Sequence, residues 1–257
     1  LDNVICTPHL GAATDEAQTN VAIAIAEQMV AYFTRGEIQN AVNFPSVSAE
    51  VLGIIQPYLI LAEKLGKFQT QLVKGAIQEI SIEYSGEILK YNLAPITLSV
   101  LKGILDPILR EGVNYISAPF IAKERGIRVV ESRSSEVKDY TSLIKLCVKT
   151  QQEQSCTAGT IYGRQEPRIV RINEFILDVI PEGHMLVLYN VDKPGVLGNI
   201  GTTLGASGVN IARLHLSRDK VDGKAMVAIS TDSVVSGDVL KKLRALPNMI
   251  SVTDLEM

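Results

Sequence analysis

Apolar residues recur with two different periods along the chain, and the changes of period divide it into three parts. In the first part they follow Thr14 at helical spacing, which predicts a helix with Thr14 as its N-cap and Gly36 as its stop. A polar stretch that ends in Pro45 follows and predicts a linker. The first part therefore covers residues 1–45.

The second part, residues 46–180, combines helical patterns with closely spaced strand patterns. Helices are predicted over 50–73, 95–109 and 118–126. Strands are predicted over 77–84, 127–131, 142–150, 155–163 and 168–180, and a turn at Asn173 and Glu174 would divide the last of these. Strands spaced so closely between helices favour an α+β domain with a mostly antiparallel sheet.

The third part, residues 181–257, shows the order βαββαβ. Strands are predicted over 185–191, 209–217, 224–231 and 250–255, and helices over 196–206 and 237–246. This order is typical of the ferredoxin-like fold.

A Pro-Gly turn between the first strand and first helix of the third part is the strongest functional signal. Pro194 suits the start of a helix, and Gly195 lets a ligand approach the unpaired helical N–H groups. An amino acid would place its carboxylate there and its ammonium group on Asp192, with Asn210 at a neighbouring loop end. The predicted binding residues are Asn190, Asp192, Pro194, Gly195, Val196, Leu197 and Asn210. The alternative is a strand-to-helix turn without a ligand.

Composition excludes several classes of protein. A net charge of −3, a pI near 5.7 and the absence of Trp argue against a nucleic-acid-binding surface. The apolar runs are broken before the roughly 20 residues that a membrane span needs. The three cysteines, Cys6, Cys147 and Cys156, are odd in number and widely separated, which predicts reduced thiols, a cytoplasmic location and no metal site. Because the first residue is not Met, we expect the natural N-terminus to be missing, so organellar targeting stays open.

A second functional signal lies at the front of the chain, where a loop carrying His9 connects a strand pattern to the first helix. A histidine there can exchange a proton with a substrate hydroxyl while the carbinol carbon gives up hydride. A lone loop histidine with a structural role is the alternative.

The segment 3–22, with Thr7-Pro8-His9-Leu10-Gly11-Ala12-Ala13-Thr14 at its centre, resembles the catalytic-histidine segment of D-2-hydroxy-acid dehydrogenases and, within them, the long-form D-3-phosphoglycerate dehydrogenases. The resemblance implies that His9 is the general acid/base and that the first part is the truncated edge of a Rossmann-type substrate domain. It also places the partner Glu, the substrate-binding Arg and the dinucleotide loop before this chain. No G-x-G-x-x-G is present, so NAD is expected in the intact enzyme and not on this chain, which alone should be inactive.

The second and third parts continue the resemblance. Segments 114–119, 122–127, 131–135 and 139–140, and 159–160 leading to 167–170, are similar to the intervening domain of the long form, and the third part resembles the ACT domain. The resemblance implies L-serine as effector, self-association as a dimer or tetramer, and an anion pocket in the intervening domain. Arg133, Arg164 and Arg168 are its candidate residues, with Arg171 also considered, because guanidinium groups bind anions bidentately. Exposed positions on a solvated sheet face are the preferred interpretation of these arginines.

Two alternatives to a dehydrogenase portion belong to other functional classes. The chain would act as a free-standing amino-acid-binding module, or as a scaffold whose ACT-like part only holds subunits together. In each case we expect a homodimer, since pairing two sheets shields strand edges.

Overall fold

The computed structural model describes residues 3–8, 10–35, 39–41, 49–109, 112–135, 139–163 and 165–257. Two compact units divide the chain, Leu1–Leu52 and Gly53–Met257. His9, Arg164 and most of the predicted linker lie outside the described residues.

The first unit contains the helix α1, Asp15–Arg35. The amide of Ala17 donates to the Thr14 hydroxyl over 3.2 Å, which confirms Thr14 as the N-cap. Apolar side chains of α1 are nevertheless exposed, Phe33 to 75%. Within its own unit α1 therefore leaves much apolar surface open to solvent.

The second unit contains most of the secondary structure, and its bounds follow the predicted pattern closely. Its helices are α2 (Ala49–Leu72, which begins in the first unit), α3 (Ala94–Leu109), α4 (Ser117–Glu124), α5 (Val196–Ala206) and α6 (Gly237–Arg244), with a 3₁₀ turn at Glu87–Lys90. Its strands are β1 (Ile77–Gly86), β2 (Arg128–Ser134), β3 (Ser142–Thr150), β4 (Gln154–Tyr162), β5 (Glu166–Ile172), β6 (Phe175–Val179), β7 (His184–Val191), β8 (Ile211–Arg218), β9 (Lys224–Thr231) and β10 (Met249–Glu256).

Strands β1 to β6 form one sheet in the order β2-β1-β3-β4-β5-β6. The β1–β2 pair is parallel and the other neighbours are antiparallel, as the spacing of the strand patterns predicted. Helices α2 and α3 cover one face, where Leu65 and Ile104 pack with Ile82 and Leu146 in a common core. The helices cross closely, because a Cβ at Gly103 would lie 2.1 Å from the Glu63 carbonyl oxygen.

Strands β7 to β10 form a second, antiparallel sheet in the order β10-β7-β9-β8, the ferredoxin-like arrangement expected from the sequence. One face packs against α5 and α6 through a core that includes Leu188, Ile200 and Leu243. The opposite face contributes Val187 and Met226 to the core of the six-stranded sheet. Both sheets therefore belong to one compact unit.

Two cysteines contradict the predicted set of reduced thiols. Cys147 and Cys156 face each other across the antiparallel pair β3–β4 and form a disulfide, with their Cα atoms 4.1 Å apart. The prediction was wrong because separation along the chain does not measure separation across a hairpin. Cys6 is free and exposed.

Candidate functional site

The predicted effector turn joins the end of β7 to the start of α5. Gly195 has φ +88° and ψ −15°, a left-handed conformation that favours glycine, and no side chain caps the helix. Among the described residues, no group accepts a hydrogen bond from the amides of Leu197 and Gly198, which lie in the exposed first turn. These donors, together with the positive end of the helix dipole, suit a carboxylate.

Asp192 is held beside this helix start. Its amide donates to the Gly223 carbonyl over 2.9 Å, and its carboxylate Oδ2 lies 3.3 Å from Nη1 of Arg218. The Asp192 side chain is 26% exposed, so it stays accessible to a small molecule. The turn therefore presents one carboxylate, one guanidinium and free amides in one place.

Arg218 was missed in the sequence, although the topology carries the signal for it. Strands β7 and β8 both run antiparallel to β9, which lies between them. Their carboxyl ends therefore lie at the same end of the sheet, beside the start of β9. Arg218 ends β8 and consequently lies near the residue that follows β7.

Asn210 is not at a neighbouring loop end, and that prediction was wrong. It precedes Ile211, which pairs with Thr231, whereas the last residue of β7 pairs with Lys224 at the other end of β9. The two ends are seven residues apart along β9, or about 23 Å at about 3.3 Å per residue. The physical reason is that α5 carries the chain back across the sheet before β8 begins. Asn210 instead donates from Nδ2 to Oδ2 of Asp232 over 2.6 Å.

Asn190 lies at the end of β7 and is only 3% exposed. Its Nδ2 donates to the Val191 carbonyl over 2.9 Å, while its buried Oδ1 has no hydrogen-bond partner among the described residues. Such an orphaned acceptor is costly unless a donor reaches it. Two residues before Asp192, it is a candidate partner for an ammonium or hydroxyl group of a bound molecule.

Of the arginines proposed for the anion pocket, Arg133 and Arg168 are described, and these two do not lie together within one chain. Arg133 on β2 and Arg168 on β5 are four strands apart, or about 19 Å at about 4.8 Å per strand. They also point to opposite faces, because Arg133 pairs with the core residue Tyr84 whereas Arg168 alternates with the core residue Ile169.

Arg168 has its charge compensated locally. Its guanidinium lies 2.7 Å from Glu166 and 3.1 Å from Asp178, and it packs over the Tyr162 ring at 5.5 Å. Arg171 instead lines a cleft of about 520 Å³ on the sheet face away from α2 and α3, together with Tyr140, Lys145 and Cys156. The described strands therefore do not bring several arginines together at one anion-binding site.

The described residues do not fit a dinucleotide. They contain no doubly wound parallel sheet, since the one parallel pair of hydrogen-bonded strands among them is β1–β2. Within the same residues no cluster of His, Cys, Asp and Glu side chains could hold a metal ion. None of the described helices combines the length and apolar character that crossing a bilayer requires.

Comparison with known proteins assigns each of the two sheets to a known domain family. The D-3-phosphoglycerate dehydrogenase intervening domain matches residues 54–173, and the ACT domain matches residues 184–248. The chain belongs to the D-3-phosphoglycerate dehydrogenase family. The ACT match includes the turn at Asp192 and Gly195 as well as Asn210.

Proteins named D-3-phosphoglycerate dehydrogenase match the chain along nearly all its length. The protein from Methanocaldococcus jannaschii is 37% identical over 100% of this chain and 49% of its own length. The protein from Synechocystis sp. is 40% identical over 94% of this chain and 44% of its own, and that from Bacillus subtilis is 34% identical over 99% and 48%. The chain thus spans about half the length of these relatives, consistent with a C-terminal portion that carries the intervening and ACT domains.

Proposed function

We propose that this chain is the regulatory portion of a cytoplasmic D-3-phosphoglycerate dehydrogenase and that its ACT domain binds L-serine. The intact protein would oxidise 3-phospho-D-glycerate to 3-phosphohydroxypyruvate with NAD, and His9 would exchange the hydroxyl proton. Support comes from the intervening-domain and ACT matches, the dehydrogenase names of the relatives and the resemblance of the segment around His9.

The arrangement of charges around Asp192 carries the effector proposal. An amino acid needs an anionic partner for its ammonium group and cationic or N–H partners for its carboxylate. Asp192 supplies the first, while Arg218 and the free amides of Leu197 and Gly198 supply the second. The orphaned Oδ1 of Asn190 leaves an acceptor for a further donor of the ligand.

Asn210 joins this site in the proposal only through a second copy of the chain. Within one chain it lies at the far end of the sheet, beyond the reach of a ligand held by Asp192. A two-fold axis that reverses one sheet against the other would bring the Asn210 end of one copy to the Asp192 end of its partner. A ligand between them would bridge the two subunits, which agrees with the expected homo-oligomer.

The exposed apolar surface of α1 supports the proposal that this chain is part of a longer protein. Val21, Ile25 and Phe33 are all about half exposed or more. An apolar face of this extent is typical of a surface that packs against another element. In the proposal that element is the dehydrogenase half that the relatives contain beyond the matched region.

Isothermal titration calorimetry of this chain with L-serine tests the effector proposal. Saturable binding is expected, and Asp192→Asn should weaken it at least about tenfold, since a charge-assisted hydrogen bond contributes about 1.5–3 kcal/mol. The matched control is Asp238→Asn, which makes the same change at an exposed ion pair with Lys241 on α6. Equal affinity in the two variants, or no heat with L-serine, would remove the proposal.

A further inference from the structure

The Cys147–Cys156 disulfide occupies an unusual place for a stabilising cross-link. It joins two strands that are already hydrogen-bonded neighbours, over a separation of only nine residues. The hairpin is closed independently, because the amide of Thr150 donates to the Glu153 carbonyl over 2.8 Å and the Thr150 hydroxyl accepts from the Gln152 and Glu153 amides. A cross-link over so short a loop constrains the unfolded chain less than one that closes a long loop.

The disulfide is accessible to a reductant. Both cysteines are half-buried and lie on the sheet face away from α2 and α3, because their neighbours Leu146 and Val148 point into the core. Cys156 also lines the cleft of about 520 Å³ that opens on this face. A small thiolate can therefore approach the sulfur atoms without unfolding the sheet.

The backbone of Cys156 holds the turn between β5 and β6. Its amide donates to Oδ1 of Asn173 over 2.8 Å, and its carbonyl accepts from the Asn173 amide over 2.8 Å. The Ser155 hydroxyl donates to the same Oδ1 over 3.2 Å. Asn173 has φ +50°, a conformation rare outside glycine that these contacts maintain. The position of Cys156 thus fixes the position of this turn.

The same turn contacts the ACT domain. The Phe175 ring packs edge-on against the Tyr189 ring, with centroids 5.7 Å apart, and Asn173 and Tyr189 line one cleft between the two sheets. Burial raises the pKa of the Tyr189 hydroxyl, and the adjacent Asn173 side chain opposes that rise. Tyr189 lies on β7 directly before Asn190. A continuous path of contacts therefore connects the disulfide to β7, the strand that directly precedes Asp192.

We propose that Cys147 and Cys156 are a reversible thiol–disulfide pair whose oxidation state sets how firmly the Asn173 turn packs on the ACT domain. A dithiol is the reductant. Its thiolate attacks one protein sulfur and displaces the other as a thiolate, and its second thiol then resolves the mixed disulfide. The protein gains two thiols, with two electrons and two protons, and the dithiol becomes a cyclic disulfide. Reduction removes the covalent link between β3 and β4 at Cys156, leaves their hydrogen bonds in place, and loosens the turn that Cys156 holds.

Hydrogen exchange of the full chain, oxidised or treated with dithiothreitol, tests this proposal. Thiol alkylation should modify Cys6 alone before treatment and all three cysteines after it. Reduction should accelerate exchange several-fold at the amides of Cys156 and Asn173 and in β7 around Tyr189, while amides in α3 keep their rates. The double variant Cys147→Ser with Cys156→Ser should show the faster exchange with or without dithiothreitol.

Cys6→Ser is the matched control, and it should respond to the reductant as the unchanged chain does. Three alkylated cysteines under oxidising conditions would overturn the proposal, as would reduction that leaves exchange at Asn173 unaltered. The reductant comparison uses the unchanged chain, so it decides the question even where the double variant does not fold. If the ACT domain binds L-serine as proposed, reduction should also change the affinity for L-serine. Faster exchange without any L-serine binding would leave this inference standing and remove only the effector proposal.

Discussion

The crossing of α2 and α3 permits a quantitative test of the packing that supports the intervening domain. The two helices approach at glycines, and a Cβ built at Gly103 would lie 2.1 Å from the Glu63 carbonyl oxygen and 2.9 Å from its carbonyl carbon. Ordinary contacts begin at 3.4 Å, so Gly103→Ala must separate the backbones by about 1 Å. Because the obstacle is backbone, no side-chain rotation can relieve it.

The expected destabilisation follows from comparing two helical glycines, Gly103 in α3 and Gly53 in α2. Overpacking typically costs 1–3 kcal/mol, and a backbone obstacle places Gly103→Ala at about 3 kcal/mol. Replacing glycine by alanine in a helix also contributes about 1 kcal/mol of stability through propensity. Gly53 in α2 has nothing within 4 Å of a built Cβ, so Gly53→Ala shows the propensity gain alone. The difference between the variants isolates the overpacking.

Equilibrium urea unfolding followed by circular dichroism measures that difference. We expect Gly103→Ala to be less stable than Gly53→Ala by about 3 kcal/mol, with equal m-values. If the two variants had equal midpoints while both kept native spectra, the close approach at Glu63 would be refuted. Gly66→Ala provides an independent repeat, since its Cβ would lie 2.5 Å from the Val100 carbonyl oxygen.

Two further predictions concern ionisable groups. Tyr84 is fully buried, burial raises its pKa, and its hydroxyl lies 2.8 Å from Oγ1 of Thr97. The unfolded chain ionises tyrosine near pH 10, so this group stabilises the fold below about pH 10 and that contribution is lost as pH rises further. Tyr84→Phe should cost about 1 kcal/mol at pH 7 and flatten the fall in urea midpoint above about pH 10; an unchanged slope would contradict the assignment. Under the proposed function, His9→Ala in the intact protein should lower kcat for 3-phospho-D-glycerate oxidation at least about a hundredfold, and near-normal turnover would exclude the proton-transfer role.

Strong periodicity explains why most elements were predictable. The strands 142–150 and 224–231 and the helix 196–206 have the predicted bounds, because each keeps a regular pattern of apolar residues up to its end. The 3₁₀ turn at Glu87–Lys90 escaped prediction, since so short an element has no period to detect.

The turn at the candidate site was predicted from the sequence, but the arrangement of the residues around it was not. The Pro-Gly turn indicated the helix start, because the backbone requirement is local and glycine meets it. The partner of Asp192 depends on which strand ends share an edge, which is a property of topology. The pattern βαββαβ already contained that topology, since a helix between parallel strands returns the chain to the opposite end. Applying this topology to the sequence would have placed Arg218, and not Asn210, beside Asp192.

The disulfide was predictable by a similar argument. The strands 142–150 and 155–163 were recognised, and a hairpin that turns between Gln151 and Gln152 places Cys147 and Cys156 equally far from the turn. Residues equidistant from the turn of a hairpin face each other, and their side chains share one face of the sheet. Counting cysteines without the pairing of strands therefore led to the wrong redox state.

Strand β7 contributes side chains to the cores of both the ACT domain and the intervening domain. Its alternation sends Leu188 and Asn190 toward α5 and α6 and sends Val187 and Tyr189 toward the intervening domain. Because it is a central strand bonded to both β9 and β10, it cannot shift on one face without shifting on the other. A displacement at Tyr189 is consequently shared by Asn190 and by the turn at Asp192. The reverse also holds, so a ligand that orders the Asp192 turn should slow hydrogen exchange around Tyr189 and Asn173.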